Sequence, residues 1–425
     1  MSQTLSDPYS ALRVRDYRLY LTSSLIGVVG YRVSMVALQY ELFKETHDYM
    51  ALGWLGLVTT IPVFLLTLPA GQAADSFNRK AIIVLALALA CVGSIGLYFI
   101  SYYHLPIWLA YGCVVIRSIA GTFTQPARQA LLPQVVPPDV FANAVTWNSS
   151  CIQTALLLGP ALGGFIAAYN VSMAYLTDAL CMLLSLSAVL LIRSHAPVHN
   201  RQPATMKTVV AGLHYVYQTK VILAALLLDL LATIFGGATA LLPGFATEIL
   251  RVGPTALGWL NAAPAAGAVT MGAILAHVPP IRKAGRAMIL GVIGFGAATI
   301  LFGISKRYEL SLLFLFMTGA FDNISVVVRH TLVQSLAPEA MRGRISAVNS
   351  LFIGASNRLS DFESGVTAKF FGPVGSAVIG GAGSIICVIL VALRFPELRR
   401  VGSLADLKPE QSAPEESEKA EKVSV

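Results

Sequence analysis

Charge is scarce in this chain. Only 12% of its 425 residues are Asp, Glu, Lys or Arg, against roughly 25% in a soluble domain. An ordinary water-soluble globule is thereby excluded, because its surface needs a charged skin. Cysteine is sparse as well. Cys91, Cys113, Cys151, Cys181 and Cys387 all lie inside apolar runs, with neither metal-knuckle nor redox-pair spacing, so they read as small buried hydrophobes. No glycine-rich phosphate loop ending in Gly-Lys-Ser or Gly-Lys-Thr occurs, which argues against ATP coupling within the chain. A hydrolase elbow and zinc spacing are missing too, so we expect neither an enzyme nor a cofactor. His195, His199 and His330 are scattered and read as loop residues. The opening MSQTLSDPYS is polar, so no cleavable signal peptide is expected.

What the chain does have is apolar length. Hydrophobic residues make up 56% and the mean hydropathy is +0.69. At about 20 residues per crossing, that suffices for about twelve membrane spans. Runs of spanning length fall near 19–42, 51–70, 81–101, 106–126, 144–168 and 171–192, then near 221–246, 255–277, 286–304, 309–328, 345–368 and 374–394. The expected division is an N-terminal bundle over 1–192, a cytoplasmic linker over 193–220 with a short amphipathic helix, a C-terminal bundle over 221–395 and a disordered cytoplasmic tail over 396–425. The fold class is all-α membrane protein.

The net charge of +8 points to orientation rather than to nucleic acid. Every second loop is basic: Arg13, Arg15 and Arg18, then Arg79 and Lys80, Arg128, the linker, Arg282, Lys283 and Arg286, and finally Arg329, Arg342 and Arg344. The alternate loops hold only Lys44, Arg251, Lys306, Arg307 and Lys369. Basic loops stay inside, so both termini are expected in the cytoplasm.

The two halves repeat. Ala-Leu-Gly-Trp-Leu at 51–55 recurs at 256–260. RQALLPQVVPPDVFANAVTWN from Arg128 aligns with RHTLVQSLAPEAMRGRISAVN from Arg329. From 51 to 256 is 205 and from 128 to 329 is 201, so each match is displaced by one six-helix unit. Transporters built from parallel six-span repeats place the substrate site between the halves.

After span two the chain reads Gly71-Gln-Ala-Ala-Asp75-Ser-Phe-Asn78-Arg79-Lys80. Gly71 and Asn78 suit close approach and a left-handed turn. Asp75 can cap a neighbouring helix or pair with a loop arginine, Arg128 or Arg329 among them. This loop resembles the signature of the major facilitator superfamily, which implies twelve helices in two pseudo-symmetric bundles and secondary transport by alternating access. Arg117 in span four, with Gly121 and Gln125 on the same face, extends the resemblance; in proton-coupled members such an arginine helps proton transfer, and the alternative is a structural pair with an Asp. Gly159-Pro160-Ala-Leu-Gly163-Gly164 in span five resembles the motif of the family's exporters. Physically it permits a kink and close packing; Thr146 and Ala155 stand where the family has glycines.

Intramembrane ionisable groups are default functional candidates. We count Arg32, Arg117, Asp229, Asp322, Arg358, Asp361 and Glu363. Arg358 and Asp361 share a helix face and can neutralise each other. Asp229 and Asp322 have no close basic neighbour in sequence and are candidate proton carriers; the alternative is a static pair with Arg32 or Arg117. Tyr31, Gln39 and Gln125 are candidate cavity residues. The stretches LLDLLATIFGGATALLPGFA, VGPTALGWLNAAPAAGA and RGRISAVNSLFIGASNRLSDFESG resemble the secretion-type branch of the superfamily. That resemblance implies export of a small amphipathic, siderophore-like or drug-like molecule, driven by the proton gradient in a monomer. Import, or lysophospholipid movement, by the same fold is the first alternative. A non-transporting scaffold or sensor is the second.

Overall fold

The computed structural model describes residues 7–193, 213–279, 281–336 and 342–402. Every regular element among them is helical, as the bilayer requires of apolar chain that must satisfy its own backbone. Six long helices come first: α1 (Arg15–Thr46), α2 (Tyr49–Ser76), α3 (Arg79–Tyr102), α4 (Leu109–Leu131), α5 (Phe141–Tyr169) and α6 (Val171–Leu190). Then follow α7 (Lys220–Gly236), α8 (Pro254–His277), α9 (Ala284–Ile304) and α10 (Tyr308–Leu336). A last stretch, Arg342–Arg394, loses helical dihedral angles at Gly372, whose φ is 74°. We divide it there into α11 (342–371) and α12 (373–394).

Ten helices among the described residues are long and apolar enough to cross a membrane, with Leu359–Arg394 counted once across the Gly372 break. The remaining crossing is α4, too polar to be counted among them because it carries Arg117, Arg128 and a run of Ser, Thr and Gln. The total is therefore the expected twelve.

Local chemistry sets the helix ends. Asp48 accepts from Met50 N at 2.8 Å, Asn78 from Lys80 N at 3.0 Å, and Asn170 from Ser172 N at 2.8 Å. Each satisfies an amide that the first turn leaves free. α1 stops where His47 turns left-handed, with φ of 49°. α7 is shorter than its apolar run. It ends at Gly236, and the chain continues through short turns and a π-turn, Phe245–Ile249. Of the expected linker helix, residues 213–218 are helical. The tail does not begin disordered: Pro396–Arg400 form a short helix that buries Leu398, because an apolar side chain there finds a place against the bundle. Residues 194–212 and those beyond 402 lie outside the described residues.

α1 packs on α5 and α6, α3 on α4 and α6, and α2 on α4. In the second half, α8 and α9 pack on α10, while α7 and α9 pack on the Arg342–Arg394 stretch. The halves meet where α5 lies along α8 and where α2 lies along α11.

Which helices face lipid can be read from exposed apolar side chains. α3 exposes Leu85, Val92, Phe99 and others, and α12 exposes Ile379, Ile386 and Leu390. Such faces need an apolar solvent. α1 exposes no large hydrophobe at all, and neither does α7. α4 exposes none, and α10 none beyond Leu313 in its second turn. These four helices stand away from lipid, around the interior.

Candidate functional site

The interior is sealed at the end where α2 and α8 begin. Gly53 of α2 crosses Gly365 of α11, and a Cβ at Gly365 would lie 2.6 Å from the Gly53 Cα. Gly258 of α8 crosses Gly164 of α5, and a Cβ at Gly164 would lie 2.7 Å from the Gly258 Cα. Real side chains do not approach so closely, so only glycine allows these crossings. Gly53 and Gly258 occupy the same place in the repeated Ala-Leu-Gly-Trp-Leu. Gly164 and Gly365 are 201 apart, the displacement of the Arg128–Arg329 match. The two crossings are one contact made twice. Tyr49 OH reinforces the seal by donating to Glu248 Oε2 at 2.7 Å.

At the opposite end the helices stand free. Along α5, Val145, Thr146, Ser149, Ser150, Gln153 and Thr154 are all exposed. Beyond Ala155 the small residues close in: Gly159, Pro160, Gly163 and Gly164 are buried. Gly159 and Gly163 abut Arg32 and Val33 of α1. α5 runs unbroken through Pro160, so the motif packs three helices together without a break in this state.

Two polar stripes run inward from the open end. On α1, Arg18, Thr22 and Arg32 are exposed, with Leu25 and Val29 half-buried between them. On α4, Gly121, Gln125 and Gln129 are exposed at one-turn spacing. Both stripes stop at a roof. Above Arg32 come buried Val33, Ser34, Val36 and Ala37. Above Gly121 comes Arg117, only 5% exposed. Arg117 therefore lies on the line of Gly121 and Gln125 but within the roof, where their exposure ends. Its guanidinium lies 2.8 Å from Asp178 Oδ2 and donates to Ser34 Oγ at 2.8 Å. Ser94 donates to the same Asp178 oxygen at 2.7 Å, and the Tyr31 ring lies under Arg117 with 5.0 Å to its centroid.

Asp178 was missed in the sequence, and so was Glu41, which accepts from Tyr175 OH at 2.6 Å and from Ser101. Both stand within apolar runs and were visible as intramembrane acids. Neither Arg32 nor Arg117 partners Asp229. Its partner is Arg329, at 2.6 Å, and Arg329 also donates to Asn349 Oδ1 at 3.3 Å.

Several expected loop residues are helical. Gly71 and Asp75 belong to α2, and a Cβ at Gly71 would meet nothing within 4 Å. Asn78 is extended, with φ of −65° and ψ of 113°, and caps α3 rather than turning left-handed. Among the described residues Asp75 caps no helix; its backbone oxygen accepts from Arg79. Lys80 instead closes the end of α6, donating to Leu190 O at 2.8 Å and Ile192 O at 2.7 Å. Arg128 and Arg329 also sit inside helices, α4 and α10, and Arg329 is 2% exposed. His330 follows it in α10 and is exposed. α4 and α10 continue further than their hydrophobic runs because Arg128 and Arg329 reach back to inward partners.

Asp322 is half-buried on α10, two turns before Arg329 on the same face, with no hydrogen-bond or ion-pair partner among the described residues. Glu363 of α11 accepts from Thr367 Oγ1 at 2.7 Å. Asp361 and Gln39 are half-buried. The Arg358 side chain lies outside the described residues, so its expected pairing with Asp361 does too.

The profile of the transmembrane secretion effectors matches residues 6–423, nearly the whole chain. The protein belongs to that family of membrane transporters. Like other members of the major facilitator superfamily, this secretion effector has relatives with named cargo. The enterobactin exporter EntS of Escherichia coli O1:K1 is 25% identical over 392 residues, covering 90% of this chain and 92% of the relative. EntS of Citrobacter koseri is 26% identical over the same shares. Among solved structures, a POT family transporter in complex with 5-aminolevulinic acid superposes with a TM-score of 0.71 at 13% identity, covering 91% of this chain and 97% of that one. An inward-facing, unoccupied bacterial homologue of the human lysosomal transporter Spinster gives 0.69 at 13%, covering 91% and 99%. At that identity the two structures speak for the fold alone.

Proposed function

We propose that this secretion effector is a proton-driven antiporter that expels a small amphipathic, siderophore-like molecule across a bacterial inner membrane. Residues 1–192 and 221–395 rock as two bundles about the interior, and both termini lie in the cytoplasm. In that orientation the structure is closed outside and open inside. The observation that carries the reading is the pair of polar stripes on α1 and α4. They run from the open end to a roof beneath the sealed one, as a cargo path loaded from the cytoplasm would. The likeness to enterobactin exporters supports the direction and the class of cargo.

Asp322 is the proposed proton carrier. It has neither a hydrogen bond nor an ion pair among the described residues, so taking up a proton breaks no bond. Asp229, held by Arg329, anchors the helix pair. The test uses inside-out vesicles with enterobactin as probe. Uptake that rises with an imposed proton gradient and collapses with an uncoupler is expected. Equal uptake with and without the protein would reject export, and uptake indifferent to the gradient would reject proton coupling.

A further inference from the structure

We infer that Arg32 is the binding site for an oxyanion carried by the cargo: a carboxylate, sulfonate or phenolate on an otherwise apolar body. Arg32 sits midway along the 32-residue α1. Three other arginines whose side chains are described lie deep in the helices, and each is engaged. Arg117 holds Asp178, Arg329 holds Asp229, and Arg128 donates to Ser24 Oγ at 2.6 Å and Ser23 Oγ at 2.9 Å. Arg32 differs in both respects. It is exposed, and it has neither a hydrogen-bond nor an ion-pair partner among the described residues.

Such a group can face lipid or water. Lipid is ruled out by the company it keeps. The exposed residues of α1 are Arg15, Arg18, Thr22, Arg32, Lys44 and Glu45, without one large hydrophobe. A cation at mid-membrane depth is retained where it faces a water-filled path or a ligand. The stripe ends at Arg32, so a molecule entering from the open end meets the guanidinium last, directly under the roof.

Position is held from behind. A Cβ at Gly159 would lie 2.5 Å from the Arg32 Cβ, so α5 presses against the base of the side chain and leaves its head free. A planar guanidinium with five fixed donors matches the paired oxygens of an oxyanion. The neighbouring path supplies Thr22, Gln125 and the half-buried Leu25 and Val29, which suit a polar rim and an apolar body. A bound anion would lower the cost of keeping Arg32 charged with no acid paired to it among the described residues.

This inference rests on the transporter reading for its notion of cargo, and its test separates the two. Wild-type protein in nanodiscs is titrated calorimetrically with 1-naphthoate and with 1-naphthamide, which differ in charge and share the ring. The same is done for Arg32→Lys and Arg32→Gln. Wild type should bind the naphthoate at least about tenfold more tightly than the amide. Arg32→Gln should erase that preference, and Arg32→Lys should keep part of it. Equal affinity in wild type, no naphthoate binding in wild type, or an undiminished preference in Arg32→Gln would each overturn the proposal. Charge preference in nanodiscs without enterobactin flux in vesicles would reject the proposed cargo and leave the oxyanion site standing.

Discussion

The two halves of the protein solve one problem in two ways. Arg128 and Arg329 are matched positions, and in each half the arginine reaches back to the first helix of that half. In the first half it meets serines: Ser24 at 2.6 Å, Ser23 at 2.9 Å and Ser185 at 3.3 Å. In the second it meets Asp229 at 2.6 Å. Ser24 and Asp229 are 205 apart, the displacement of the Ala-Leu-Gly-Trp-Leu repeat, so they are one position with two residues. The acid of the first half lies elsewhere, on α6, where Asp178 holds Arg117. A shared frame thus carries its buried charge pairs at different depths, which makes the halves inequivalent in what they can bind and release.

Removing the acid should cost most. Asp229→Ala leaves Arg329 buried and short of its counter-charge, and a broken buried pair costs about 3–5 kcal/mol. Asp178→Ala should cost a similar amount at Arg117. Ser24→Ala removes one neutral acceptor from Arg128 and should cost about 1 kcal/mol. Thermal unfolding in detergent checks the order, and equal losses for Asp229→Ala and Ser24→Ala would dissolve the comparison.

The sealed end is where the halves are alike, and symmetric substitutions should act alike there. Gly258→Val and Gly53→Val each force a branched side chain against backbone, an overpacking of about 1–3 kcal/mol against the closed arrangement. Both should cut transport flux and raise accessibility at that end to thiol reagents. An effect at only one of the two crossings would show that they are not a repeated contact.

At the loop after α2, Lys80→Ala should cost under about 1 kcal/mol, because it frees two terminal carbonyls of α6 near water. Lys80→Arg should restore it. Smallest of all is Lys220, which lies 3.5 Å from Glu397 on the surface. Lys220→Ala should leave thermal unfolding unchanged, as expected of an exposed pair.

The fold was legible because period and length are enough for a membrane helix. Even α4, the least apolar, was found from its run, and the break between α11 and α12 fell where the hydrophobicity lapsed. The repeat was legible too, and Gly53 and Gly258 were already visible inside it. Their crossing with Gly365 and Gly164 was not, since contact between distant helices leaves no local mark. The charge pairs were illegible for the same reason. Arg329 looked like a loop residue because the apolar run of the tenth span ends at 328, yet its side chain turns back to Asp229 across 100 residues. Asp178 needed no structure to be noticed, only attention to an acid in an apolar run.

The central claim is that the two halves exchange a sealed end for an open one. Spin-label distances measure that directly. One pair of labels at Lys44 and Arg251 reports on the sealed end, and another at Phe77 and His277 reports on the open one. Under conditions that support flux, the first distance should lengthen while the second shortens. If both stay fixed while cargo is transported, alternation between the halves is wrong.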